Sequence, residues 1–246
     1  MEPIRMHLYE ECFPCLARHL ASVAELAVAD PGLRKEVIAA GLRALETVEH
    51  NQSAPEAASA LYRVMEQAGA DSDPYRLLKE QYNRFSMDLI AHNRERWLAM
   101  GEPFAIALCL SMAANVIDFG KYADLSEAMV TDTLERALEQ MPEQALVEKI
   151  RRRIEQSGTV LVLGDNAGEI AFDRLLIEQM PVEPRRITYA VRGFPALNDA
   201  TERDARQVGM DSLVRVIPNG SAVPGTVLET CSAEFREVFD RADLIL

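Results

Sequence analysis

Thr159-Val-Leu-Val-Leu-Gly-Asp-Asn-Ala-Gly-Glu169 is the stretch that decides the architecture of this 246-residue chain. Thr159 to Leu163 is a short apolar run rich in β-branched residues, closed by Gly164. A strand buried on both faces of a parallel sheet reads this way. Working forward, an amphipathic segment covers 168–180, and Ile187-Thr-Tyr-Ala-Val191 is a second strand. Helices are predicted over 199–208 and 232–241, and further strands over 213–217 and 242–246. Alternation at this short spacing implies crossover connections and a parallel sheet. Working backward, residues 8 to about 156 carry helical periodicity, as in Leu16-Leu20-Val23 and Val37-Ile38-Leu42-Leu45. Breakers such as Asp30-Pro31-Gly32, Gly69 to Pro74 and Gly101-Glu102-Pro103 separate about six helices, with Asp73 expected as a cap and Pro74 in the first turn. The fold class is α/β: a helical N-terminal region, 1–156, packed on a Rossmann-like parallel-sheet domain, 157–246. The last predicted strand ends at Leu246, so the domain is expected to be truncated at its C-terminus.

Composition narrows the function. The chain is 48% hydrophobic, with no apolar run of the ~20 residues that span a bilayer and no secretory pattern at Met1-Glu-Pro-Ile-Arg5. A cytoplasmic protein without membrane association is expected. The net charge of -13 disfavours nucleic acid, whose binding rests on neutralising phosphates with Lys and Arg. It also repels phosphorylated metabolites unless a divalent cation, held by acidic ligands, reverses the local field.

In open α/β sheets ligands bind beyond the carboxyl ends of the strands. Three loops occupy that edge: Gly164 to Glu169, Arg192 to Asp199, and Pro218-Asn-Gly-Ser221 with Pro224-Gly-Thr226. The first offers Asp165 and Asn166, the second Asn198 and Asp199. These hard oxygen donors suit Mg²⁺ or Mn²⁺ rather than zinc. The third, with Gly220 and Ser221, resembles a phosphate cradle. Each Asp-Asn pair also reads as a plain helix cap, but two on one sheet edge facing a glycine-rich third favour a site. A nucleotide or S-adenosylmethionine site fits less well. The spacing lacks G-x-G-x-x-G, and strand two ends in Val191-Arg192 where an acidic ribose partner is wanted.

Cys12-Phe-Pro-Cys15 admits three readings: packing at a helix start, a zinc site completed by His7 or His19, or a redox pair. Cys109 reads as core, Cys231 as inert beside the cap Ser232, and His50 and His92 as surface residues. Trp97 is expected to pack against its helix neighbours, and Lys149 to Arg153 to be a solvated helix end.

Taken together, Gly164-Asp-Asn-Ala-Gly-Glu-Ile170 with Asp173, Arg192-Gly-Phe-Pro-Ala-Leu-Asn-Asp-Ala-Thr201 with Asp204, and Asn219-Gly-Ser221 with Pro224-Gly-Thr226 resemble the damage-control phosphatase family, formerly domain of unknown function eighty-nine. Cys12-x-x-Cys15 is similar to the marker of its mainly prokaryotic branch, and Asp73-Pro-Tyr75 with Lys79 and Asn115 to Gly120 also match. The resemblance implies metal-dependent hydrolysis of small phosphoesters such as sugar phosphates, with Mn²⁺, Mg²⁺, Co²⁺ or Ni²⁺ held by Asp165, Asn166 and Asp199. It implies Asp165, Asp199 and Glu169 as the catalytic groups. Asn198, Arg192, Gly220 and Ser221 would contact substrate. Arg192 stands where relatives often carry lysine. The family's phosphate-binding Lys-Gly segment would follow Leu246, so a weakened or inactive chain is expected. A carboxyl methyltransferase using S-adenosylmethionine and an inactive binding module are the competing readings. A homo-oligomer is a further expectation.

Overall fold

The computed structural model describes residues 7–115 and 127–246. Seven helices precede the first strand among these residues: α1 (Cys12–Ala27), α2 (Pro31–Leu45), α3 (Ala54–Gln67), α4 (Arg76–Leu98), α5 (Pro103–Ala114), α6 (Glu127–Glu139) and α7 (Gln144–Gln156). The breakers fall where the sequence places them, because each starts a helix. Asp30 accepts the Leu33 N–H at 2.7 Å, Glu56 accepts the Ser53 N–H at 2.9 Å, and Glu102 accepts the Ala105 N–H at 2.9 Å. Each supplies an acceptor to N–H groups that a helix start leaves orphaned. The expected cap at Asp73 is a correction. Helix α4 begins at Arg76 behind Tyr75, and Asp73 instead directs its carboxylate at Lys79, 3.3 Å away.

The α/β part follows as β1 (Val160–Leu163), α8 (Glu169–Gln179), β2 (Ile187–Val191), α9 (Glu202–Gln207), β3 (Arg215–Pro218), α10 (Ala233–Arg241) and β4 (Leu244–Ile245). The four strands form one parallel sheet in the order β3-β2-β1-β4. Strand β3 starts later than expected, since a 3-10 turn at Met210–Ser212 and its closing bonds take up Leu213 and Val214. Helix α9 also starts late, because Asp199 and Thr201 take part in loop bridges rather than helical bonds.

Period-two alternation assigns the faces of the sheet. Val160, Val162, Ile187, Tyr189 and Val191 enter the main core with α4–α9. Leu161, Ala190 and Ile217 face the opposite side, under Phe235 of α10. Helix α5 is apolar nearly all round and sits inside the main core, where Leu110 is buried and contributes about 1.5–3 kcal/mol. Trp97 reaches beyond its own helix, with its ring 6.5 Å from that of Phe172 on α8. Helices α1–α3 close a second cluster of their own. Arg151 in the basic end of α7 stacks 4.8 Å over Phe104 and pairs with Glu102, so part of that run is a tie to α5. No helix among the described residues is long and apolar enough to cross a membrane.

Candidate metal and phosphate site

Strand β1 is flanked by β2 and β4: the chain runs β1-β2-β3 to one side, then crosses back to lay β4 on the other. A crevice opens at such a switch point, beyond the carboxyl ends of the strands. Gly164 follows β1 there because a side chain is impossible: its Cβ would lie 2.4 Å from the Tyr189 hydroxyl. The Gly164 N–H donates to the Ala190 carbonyl at 2.9 Å and launches Asp165 off the sheet edge.

The first and second loops are tied to each other. Asn166 and Asp199 form an isolated antiparallel bridge, with the Ala167 N–H donating to the Asn198 carbonyl at 2.9 Å and the Ala200 N–H to the Asp165 carbonyl at 2.6 Å. Directly opposed residues on an antiparallel pair project to one side, with Cβ atoms about 4.5–5.5 Å apart. The Asn166 carboxamide and the Asp199 carboxylate therefore share a face. Leu197 takes φ 55° to turn the chain into Asn198, and its side chain packs on the α1–α3 cluster. A non-glycine residue in that conformation costs on the order of 1–3 kcal/mol and persists where packing holds it.

Buried Arg192 joins the acidic groups. Its Nε donates to Asp199 Oδ2 at 2.5 Å, its Nη2 to Asp165 Oδ1 at 3.4 Å, and its Nη1 to Thr226 Oγ1 at 3.3 Å. Burial raises the Asp199 carboxyl above its usual range, Arg192 opposes the rise, and Asp165 adds to it. The Asn166 Nδ2 donates to Asp165 Oδ2 at 3.2 Å and to Glu169 Oε1 at 2.8 Å, while Asn115 donates to Glu169 Oε2 at 2.9 Å. Burial lifts the Glu169 carboxyl to about 7 against the pull of the Asn166 amide, with neighbouring Asp165 adding to the rise. Behind it, half-buried Asp173 accepts from Tyr189 at 2.6 Å and Ser111 at 2.7 Å.

The structure thus gathers Asp165, Asn166, Asp199, Glu169 and Arg192 into one contiguous cluster. Asn198 adjoins it through its main-chain carbonyl. The third loop is braced internally. Ser221 is buried, its hydroxyl 2.7 Å from that of Thr230 and its N–H donating to Asn219 Oδ1 at 2.9 Å. Gly220, at φ 74°, packs against Gly193, whose added Cβ would lie 2.5 Å from the Gly220 Cα. Sequence reasoning placed Asn115 in a matched segment and Thr226 in the third loop without foreseeing their partners, Glu169 and Arg192, and it did not foresee that Arg192 serves the carboxylates directly. Val116 to Gly120 of the matched segment lie outside the described residues.

The donor set fits a divalent ion. Two carboxylates and a carboxamide come from loops locked together by main-chain bonds, and all three donors are hard oxygens. Among the described residues no three His, Cys, Asp or Glu side chains gather as a metal-binding group, at this cluster or elsewhere, so the set depends on the Asn166 carboxamide beside the two aspartates. That finding gives no support to the zinc reading of Cys12 and Cys15. Cys12 is half-buried against the α1–α3 cluster and Cys15 is exposed.

Comparisons with known proteins identify the family. The damage-control phosphatase ARMT1-like domain matches residues 8–246. An uncharacterized protein of Methanocaldococcus jannaschii is 31% identical over 96% of this chain and 79% of its own length. A damage-control phosphatase of Pyrococcus horikoshii is 30% identical over 98% of this chain and 83% of its own. One from Archaeoglobus fulgidus is 28% identical over 96% and 82%. The crystal structure of a DUF89 family protein from Pyrococcus horikoshii superposes with a TM-score of 0.85 at 24% identity, covering 98% of this chain and 83% of that one, which establishes the shared fold. A match running from Leu8 to Leu246 and relatives aligned over nearly the whole chain leave one assignment: the chain belongs to the damage-control phosphatase ARMT1-like family.

Proposed function

We propose that the chain is a phosphatase of small phosphorylated metabolites, sugar phosphates among them, acting with a divalent ion such as Mn²⁺, Mg²⁺, Co²⁺ or Ni²⁺. The observation that carries this reading is the main-chain bridge between Asn166 and Asp199, which sets the donors of two loops on one face beside Asp165. Asp165 and Asp199 supply the charged ligands and Asn166 a neutral one. A bound divalent ion supplies polarisation of a phosphoryl oxygen and a water of lowered pKa. Glu169, hydrogen-bonded to Asn166 and Asn115, would serve as the base that accepts a proton from the attacking water. Arg192 balances the two aspartates and would present its guanidinium to an incoming phosphate. Asn198, whose main-chain carbonyl holds the Ala167 N–H beside the cluster, is assigned to substrate contact. Gly220 and Ser221 contribute the shape of the third loop, since the Ser221 hydroxyl is already bonded. The damage-control phosphatases among its relatives support the reaction class.

Hydrolysis of p-nitrophenyl phosphate with and without each metal tests the reading. Activity should require the ion, vanish in Asp165→Ala and Asp199→Ala, and weaken in Asn166→Ala. Full metal-dependent activity in either Asp variant refutes the site. The methyltransferase alternative has less support, because Arg192 is tied to Asp199 where a ribose-binding acid would stand. Calorimetric binding of S-adenosylmethionine would reverse that order.

A further inference from the structure

We infer that Asn83 and Lys79 of α4 are positioning residues that hold the two metal-binding loops in fixed relation to one another. This rests on the metal site proposed above, but the geometry stands without a metal. Asn83 is fully buried, and its single carboxamide reaches both loops. Its Oδ1 accepts the Gly168 N–H at 2.7 Å, between Asn166 and Glu169 of the first loop. Its Nδ2 donates to Asp204 Oδ1 at 2.9 Å and to Gln207 Oε1 at 3.0 Å on α9.

Asp204 in turn fixes the second loop. Its Oδ2 accepts the Thr201 N–H at 2.9 Å and the Thr201 hydroxyl at 2.7 Å, clamping the backbone just after Asp199. The residue is buried, and so is Lys79, one turn before Asn83 on the same face of α4. The Lys79 ammonium lies 3.8 Å from Asp204 Oδ2 and 3.3 Å from Asp73 Oδ1, so it supplies the charge that lets a carboxylate stay in that interior.

The chemistry explains the residue types. Bridging a main-chain N–H on one side and a carboxylate on the other needs an acceptor and donors in one rigid plane, which a carboxamide provides. Aspartate lacks the donor, and leucine lacks both. The Asn166–Asp199 bridge joins the loops at their tips. Asn83 joins them a few residues farther along, so their relative position is set at two points rather than one. Outer groups that orient metal ligands commonly change affinity when removed.

The test uses the intact chain, comparing wild type, Asn83→Leu and Leu61→Ala. Leu61 is buried in the α1–α3 cluster and serves as a control for general destabilisation. Hydrogen exchange should accelerate about tenfold in peptides covering 164–169 and 198–204 of Asn83→Leu, with α1–α3 unchanged. Leu61→Ala should show the opposite pattern. Calorimetry should find the Mn²⁺ dissociation constant raised roughly 10- to 100-fold in Asn83→Leu and near wild type in Leu61→Ala. Where Asn83→Leu does not fold, Asn83→Ser and Lys79→Met carry the same comparison. Unchanged loop exchange overturns the inference, and so does equal loss of Mn²⁺ affinity in the Leu61→Ala control. Accelerated loop exchange in a protein whose wild type neither binds Mn²⁺ nor hydrolyses phosphoesters upholds the positioning role and refutes the proposed function instead.

Discussion

Replacing Gly164 with alanine puts one methyl group at the junction between β1 and the metal loop. The new Cβ would stand 2.4 Å from the Tyr189 hydroxyl, 2.5 Å from Cζ and 2.6 Å from Cε1. The backbone cannot simply recede, because the Gly164 N–H is bonded to Ala190 at 2.9 Å. The ring has little room either, since Tyr189 is fully buried and holds Asp173 at 2.6 Å. Overpacking of this kind costs about 1–3 kcal/mol. Displacing the hydroxyl takes one of two donors from half-buried Asp173, at about 1–3 kcal/mol more. A combined loss of roughly 2–6 kcal/mol lowers the melting temperature by roughly 4–24 °C in a chain of this size. Urea denaturation and thermal melting would measure it. A double-mutant cycle tests the cause. Adding Tyr189→Phe should not rescue, because two ring carbons remain as close as the oxygen was. Adding Tyr189→Leu removes all three atoms and should recover part of the loss. A Gly164→Ala protein melting within about 2 °C of wild type would refute the reasoning.

Arg192→Met should cost about 3–5 kcal/mol in urea denaturation, because it strands the buried carboxylate of Asp199, and added Mn²⁺ should restore part of that stability. If the variant melts like wild type, the ion pair is not what balances the site. Glu102→Ala tests a cap. Burial works against its ionisation, but the Ala105 and Phe104 N–H groups and Arg151 outweigh that and hold the carboxyl below its ordinary value of 4.5. A depressed folded pKa gives stability that is present above the unfolded value and lost as pH falls through the folded one. The variant should therefore lose about 1 kcal/mol near pH 7, with the gap closing as the pH drops below 4.5, in melts across pH. The Cys12→Ser, Cys15→Ser double variant should match wild type in melting temperature and in zinc content by elemental analysis. Bound zinc in the wild type alone would restore the metal reading of that pair.

Much of the fold was legible because its signals are local. Capping residues and prolines mark helix starts through bonds that reach only a few residues. The apolar runs at 160–163 and 187–191 announce buried strands by their own composition. The strand-end rule then points, before any contact is known, to the loops that the structure brings together. Boundaries failed where a distant partner intervened. Asp73 left its capping role for Lys79, and α9 gave up its first turn to the bridge with Asn166.

By itself the sequence determined the order of elements, the parallel sheet and the three loops that carry oxygen donors, since period and composition are properties of neighbouring residues. Only the tertiary structure decided what those donors touch. Arg192 turns to Asp199 and Asp165 rather than standing free for phosphate. Asn83 meets Asp204 across 121 positions of chain. Nothing in the local pattern distinguishes a solvated asparagine on a helix from one that joins two loops, because a carboxamide acquires its partners only when packing removes water and brings distant groups within hydrogen-bond reach.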